Sequence, residues 1–289
     1  MKKLVLAEKC ITTDLPSFIM GIVNCTPDSF YAPSRCLERS TDGSADDAVF
    51  THIQKLISEG ADILDVGGES TRPGASYVSA EEEISRIVPV IEKIRKESDI
   101  CISVDTRKKE VMEAAFNAGA DMLNDISALE DDDSLGAFIS FHKLPVILMH
   151  KRGKPDIMQK NTAYGDVFSE VDEYLQQRIS YALQLGIQSD RIIIDPGIGF
   201  GKNLEANEVL ISQCGKLCGG KYPVLMALSR KSCIGEMTGR PVEERLFGTI
   251  AADLVAVQSG ASILRVHDVA ACRDSLNVLS SLENSGGVS

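Results

Sequence analysis

Eight short apolar runs recur along this chain of 289 residues, each closing on a polar residue or a glycine and most followed by a segment of helical period. They occupy 18–24 (FIMGIVN), 63–67 (ILDVG), 101–106 (CISVDT), 121–126 (DMLNDI), 145–150 (PVILMH), 192–195 (IIID), 223–229 (PVLMALS) and 263–268 (ILRVHD). Runs this short and apolar fit strands buried on both faces, which is the condition of a parallel sheet covered by helices. The sharpest is IIIDPGIGFGK (192–202). Three successive isoleucines cannot form one stripe of an amphipathic helix, and Pro196 and Gly197 end the run just after Asp195.

Between the runs the period changes. Ala48, Val49, Leu56 and Ile57 keep a helical spacing in 45–58, and Gly60 stops it. Ser79 and Glu82 form a capping box ahead of Ile84, Ile87, Val88 and Ile91, which share one face. Val111, Ala114, Ala115 and Ala118 mark a third helix closed by Gly119, the acids 131–133 suit the positive end of a fourth, and 167–185 reads as a long fifth. Eight units without a linker or a shift in composition predict a single-domain (β/α)8 TIM barrel over residues 1–289, in preference to an open doubly wound sheet. Only the tail, NSGGVS at 284–289, reads as unstructured.

A formal charge of −12 argues against nonspecific binding to nucleic acid or to an anionic membrane. No apolar run reaches the ~18 residues of a membrane span, and the segment 4–7 is too short for a secretory signal, so a cytoplasmic protein is expected. The eight cysteines are scattered, and Cys214 and Cys218 have neither a second pair nor a nearby histidine, which does not suit zinc.

In a barrel the C-terminal strand ends face one mouth. The tips are Asn24, Asp65 with Gly67, Asp105, Asn124, His150, Asp195, Ser229 to Lys231, and Arg265 with His267. Any one of these is more often a helix cap than a functional group. Together, Asp105, Asn124, Asp195 and Lys231 come from different strands and can serve a flat heterocycle with a guanidine-like edge and a ring carbonyl. Lys231, Arg265 and His267 follow strands seven and eight, where barrels commonly hold phosphate.

These segments resemble the pterin-binding barrel family, and within it the branch that makes 7,8-dihydropteroate. The matching motifs are MGIVNCTPDSF (20–30), DVGGESTRPG (65–74), ISVDT (102–106), LNDI (123–126), DPGIGFGK (195–202), SRKS (229–232) and RVHDV (265–269), in the family's order from about Ile19 to about Val278. The resemblance implies a transferase in which p-aminobenzoate displaces pyrophosphate from 6-hydroxymethyl-7,8-dihydropterin diphosphate during folate biosynthesis. It implies that Asp105, Asn124, Asp195 and Lys231 hold the pterin, with Ile126, Met149 and Phe200 as apolar walls. Asn24, Thr71, Arg72, Arg265 and His267 would hold the diphosphate, with Asn24 helping to place Mg2+. Phe30, Pro73 and Ser232 would hold p-aminobenzoate, Ser232 from a helix start that favours its carboxylate. Lys231, Asp105, Arg265 and His267 are the expected catalytic groups, and the expected assembly is a homodimer. The mechanism is expected to be dissociative, with Cys25 and His150 as bystanders. Gly197, Gly199 and Gly201 read as a tight turn beside the pterin.

One departure stands out. The family usually continues Ser-Asp-Gly-Gly after the phenylalanine, whereas here Tyr31, Ala32, Pro33 and Ser34 follow Phe30. Loss of the acid and both glycines predicts an altered first loop and a changed response to sulfonamides. The competing readings are a methyltetrahydrofolate:corrinoid methyltransferase, which needs neither SRKS nor RVHD as a diphosphate cluster, and a noncatalytic pterin-binding homologue.

Overall fold

Strict alternation along each apolar run sorts its side chains into two cores. The computed structural model describes residues 1–26, 45–70, 77–153 and 162–285. In chain order its elements are β1 (Lys2–Val5), β2 (Cys10–Thr13), β3 (Phe18–Asn24), α1 (Ala45–Ser58), β4 (Ile63–Gly67), α2 (Ala80–Glu97), β5 (Cys101–Asp105) and α3 (Lys109–Asn117). They continue with β6 (Met122–Asp125), α4 (Asp133–Phe141), β7 (Val146–Met149), α5 (Val167–Gln184), β8 (Ile192–Asp195), α6 (Leu204–Gln213), β9 (Leu225–Met226), α7 (Ser232–Thr238), α8 (Leu246–Gln258), β10 (Ile263–Val266) and α9 (Val269–Ser285).

Strands β3 to β10 form one parallel sheet in the order β8-β7-β6-β5-β4-β3-β10-β9, and a bridge between Ile194 and Val224 brings its two ends together as a nearly closed barrel. Leu64, Ile102, Ile192 and Ile194 face outward into the core shared with the helices. Phe18, Met20, Ile63, Cys101, Met122, Ile147, Ile193, Leu225 and Ile263 face inward and fill the barrel. Both faces of each strand are therefore dry, which is why the runs read as continuous apolar stretches.

The predicted units are all present, with three differences. An N-terminal hairpin, β1 with β2, was not expected. It contributes Leu4 and Leu6 to the inner core, and Arg191 holds it by donating to the Leu6 carbonyl at 3.0 Å. The seventh strand is only two residues long, and two helices, α7 and α8, occupy the crossover after it in place of one. The last helix runs to Ser285, so Asn284 and Ser285 are helical rather than part of a loose tail. At α2 the Ser79 hydroxyl accepts from the Glu82 N–H at 3.2 Å, as its capping role requires, while the Glu82 carboxylate pairs with Arg86. Among the described residues no helix is long and apolar enough to cross a membrane.

Candidate active site

Alternation that turns Ile63, Cys101, Met122, Ile193 and Ile263 inward also turns inward Asp65, Asp105, Asn124, Asp195 and Arg265, four residues further along for Asp105 and two for the others. The polar mouth is thus the continuation of the apolar barrel filling. Arg265 ties it together: Nε donates to Asp65 Oδ2 at 2.6 Å and Nη2 donates to Asp105 Oδ2 at 2.9 Å. Asn124 Nδ2 donates to the same Asp65 oxygen at 3.0 Å.

Burial sets the electrostatics. It pushes the Asp105 carboxyl up to about 7; Arg265 opposes the shift, and Asp65 adds to it. For Arg265 burial works against the charge, but the carboxylates of Asp65 and Asp105 outweigh it and hold the guanidinium above its ordinary value. Burial also lowers the Lys231 ammonium to about 8 against the pull of Asp195, and raises Asp195 against the pull of Lys231. Lys231 Nζ donates to the Ile198 carbonyl and lies 5.0 Å from the centre of the Phe200 ring. Ile126 and Met149 are buried near these tips and stand apart from both packed cores.

The glycine turn is built from beneath. Lys202, a buried lysine, donates to the carbonyls of Gly197 at 2.9 Å and Phe200 at 3.1 Å, and meets His150 Nδ1 at 2.8 Å. With the ammonium as donor, Nδ1 is the acceptor and the neutral ring carries its proton on Nε2. Burial, with Lys202 and Arg152 nearby, pushes the His150 imidazole down to about 2 from the usual 6.5. His150 is therefore a structural acceptor rather than a base at neutral pH. Its folded value lies below its unfolded one, so its stability contribution is present above pH 6.5 and is lost as pH falls toward 2. Between pH 7 and pH 5 the loss is on the order of 2 kcal/mol. His150→Gln is expected to flatten the fall of Tm over that interval; an unchanged slope would place the acid sensitivity elsewhere.

The last two tips are stitched residue by residue. The His267 N–H donates to Ser229 Oγ at 3.2 Å, and His267 Nδ1 lies 2.9 Å from the same oxygen. Arg230 grips both oxygens of Asp268, at 3.0 Å and 2.7 Å, and its φ of 57° turns the chain before Lys231. Ser232 is exposed at the first position of α7, and Asn24 ends β3, half-buried. On the rim, Lys108 pairs with Glu69 at 2.8 Å and Glu83 at 2.7 Å, and Arg107 with Asp131 at 2.8 Å, joining the loops after β4, β5 and β6.

The structure thus brings together Asp65, Asp105, Asn124 and Arg265 in one bonded cluster, and Asp195, Lys231 and Phe200 in another. Phe30, Thr71, Arg72, Pro73 and the altered stretch 31–34 lie outside the described residues. Sequence reasoning found the tips but missed the supports: Lys202, Arg230 with Asp268, and the part played by Asp65. Lysine and arginine read from sequence as solvated side chains, and only inward alternation marks Asp65 out.

Residues 20–267 match the family model described as pterin binding enzyme. The chain is 44% identical over 282 residues to the dihydropteroate synthase of Haemophilus influenzae, covering 98% of this chain and 99% of that protein. The fold superposes with a TM-score of 0.88 on Xanthomonas albilineans dihydropteroate synthase with 4-aminobenzoic acid, at 43% identity over 99% of both chains. It also superposes with a TM-score of 0.85 on the enzyme of that organism in complex with 7,8-dihydropteroate, at 40% identity over 100% of both chains.

Proposed function

This chain belongs to the dihydropteroate synthases of the pterin-binding enzyme family, and on that premise we propose how its strand tips divide the reaction. The enzyme condenses p-aminobenzoate with 6-hydroxymethyl-7,8-dihydropterin diphosphate, releasing pyrophosphate and 7,8-dihydropteroate. Membership sets aside the corrinoid methyltransferase and the noncatalytic homologue. The observation that carries the division of roles is the pairing of Arg265 with Asp105, which places a fixed cation beside the acid of the neighbouring subsite.

Asp195 accepts from the amino and ring N–H edge of the pterin, and Lys231 donates to its ring carbonyl. Asp105 and the oxygen of Asn124 complete the polar frame, while Ile126, Met149 and Phe200 exclude water. Arg265 and His267, with Asn24, Thr71 and Arg72, receive the diphosphate. As the C–O bond to the diphosphate lengthens, Arg265 and His267 meet the charge gathering on the leaving oxygens. Asp105 and Asp195 meet the positive charge left on the dihydropterin, and the aniline nitrogen then attacks the methylene carbon. No covalent bond to the protein is needed.

Among the described residues no three His, Cys, Asp or Glu side chains converge as a metal cage. The single amide oxygen of Asn24 suits Mg2+, which keeps several waters and takes other ligands from substrate phosphates. When bound, the ion would spread the charge of the diphosphate. Exposed Phe247 and Val255 on α8 and Met237 on α7 support a homodimer through these helices.

Ser232, with Phe30 and Pro73, receives p-aminobenzoate. Ser232→Ala is expected to raise the KM for p-aminobenzoate roughly three- to tenfold, the loss of one charge-assisted hydrogen bond at an exposed site. The KM for the dihydropterin diphosphate and kcat should stay within about twofold. A variant that weakened the dihydropterin instead would reverse the assignment of the two subsites.

A further inference from the structure

Asp65 carries no role in the reading above, yet it is the most deeply buried acid of the pocket. Its side chain has no exposed surface, and it lies one inward position below the row in which Gly67, Asp105 and Asn124 stand side by side. From that depth one oxygen, Oδ2, accepts from both Arg265 Nε and Asn124 Nδ2. The other oxygen, Oδ1, has no hydrogen-bond partner among the described residues. A carboxylate buried with one oxygen unpaired costs stability that an aliphatic residue would avoid, and the cost is offset only by what Oδ2 holds.

Each of those two bonds fixes something the reaction uses. Tied at Nε from below and at Nη2 by Asp105, the guanidinium has no bond at Nη1 among the described residues, which leaves that group for an incoming anion without reorganisation when charge develops. The bond from Asn124 sets its amide, so that the oxygen rather than the NH2 group is offered to a ligand. We propose that Asp65 is a positioning residue for the reaction, a single buried carboxylate that aims Arg265 at the diphosphate and Asn124 at the pterin. The proposal rests on the roles given above to Arg265 and Asn124.

The test is a double-mutant cycle read as kcat/KM for 6-hydroxymethyl-7,8-dihydropterin diphosphate, with the full chain, Mg2+ and saturating p-aminobenzoate. Asp65→Asn is expected to lower kcat/KM about 100-fold, the scale of removing one partner of a buried charge pair. Added to Arg265→Gln, the same change should cost less than about threefold more, because its target is already gone. A further 100-fold loss would mean that Asp65 does not act through Arg265. Should Asp65→Asn alone fail to fold, the double variant against Arg265→Gln decides the matter, since removing both charges leaves no lone ion opposite position 65. A double variant that cannot fold while Arg265→Gln can would overturn the proposal.

The second readout is affinity. Asp65→Asn should weaken the diphosphate-bearing substrate more than 6-hydroxymethyl-7,8-dihydropterin, because an amide oxygen still accepts from the neutral Asn124 whereas the guanidinium of Arg265 loses its counter-charge. Equal losses would again overturn the role. Wild-type kcat/KM in Arg265→Gln would instead sink the assignment of Arg265 itself, a failure distinct from that of Asp65.

Discussion

Lys231→Ala is expected to lower kcat/KM for the dihydropterin diphosphate about a thousandfold while leaving the barrel folded. The ammonium sits among Asp195, the Ile198 carbonyl and the face of Phe200, and burial already holds it down to about 8. Losing a charged hydrogen bond to the ligand costs about 1.5–3 kcal/mol, the loss of the attraction for Asp195 adds to that, and ~1.4 kcal/mol is a factor of ten. Loss of Lys231 also removes the main influence opposing the upward shift of Asp195, so the acid proposed to read the pterin edge becomes easier to protonate. Two weakened contacts with one ligand follow from one substitution. Lys231→Arg keeps a charge but not the compact head group, and should recover only part of the loss. It should also remove an alkaline decline of kcat/KM near pH 8 that arises as Lys231 loses its proton.

Gly197→Ala is expected to have the largest effect on stability. The residue has φ +69°, and a Cβ there would lie 1.8 Å from the carbonyl oxygen of His150. Left-handed backbone costs a residue with a Cβ about 1–2 kcal/mol, and overpacking against backbone adds about 1–3 kcal/mol or more. A total near 4 kcal/mol corresponds to a fall in Tm of roughly 10 °C for a chain of this size. The same turn supplies a control, because Gly199 has φ +83° but a Cβ added there would meet, among the described residues, just the flexible Lys231 Cδ at 3.6 Å. Gly199→Ala should therefore pay only the conformational cost. Equal losses of Tm would show that the close approach to His150 is not what fixes the turn. Since the His150 N–H donates to the Asp195 carbonyl at 2.9 Å, a displaced turn should also lower pterin affinity.

What could be read from the sequence follows the physics of each element. Runs such as IIID are buried on both faces, so hydropathy alone marks them, and the helix expected at 45–58 is the observed α1, Ala45–Ser58. The hairpin β1–β2 escaped because its strands have four residues each, largely polar or exposed, and only Leu4 and Leu6 reach the core. The seventh strand was overextended because PVLMALS stays buried from Val224 to Ser229 after the ladder has ended. At the mouth, residue types and strand tips single out Asp105, Asn124, Asp195, Lys231 and Arg265, and the structure brings them to one end of the barrel. What remained hidden was which partners they have: nothing in one dimension shows that Arg265 reaches across to Asp65 and Asp105, or that Lys202 is buried under the glycine turn.

The central claim is that the pterin lies between Asp195 and Lys231 at the strand tips. Its most direct test is a calorimetric titration of the wild type and Lys231→Ala with 6-hydroxymethyl-7,8-dihydropterin, which lacks the diphosphate and so reports on this subsite alone. The account predicts at least about 30-fold weaker binding in the variant, from ~2 kcal/mol or more lost with a charged hydrogen bond. Equal affinity in the two proteins would contradict it and place the pterin elsewhere.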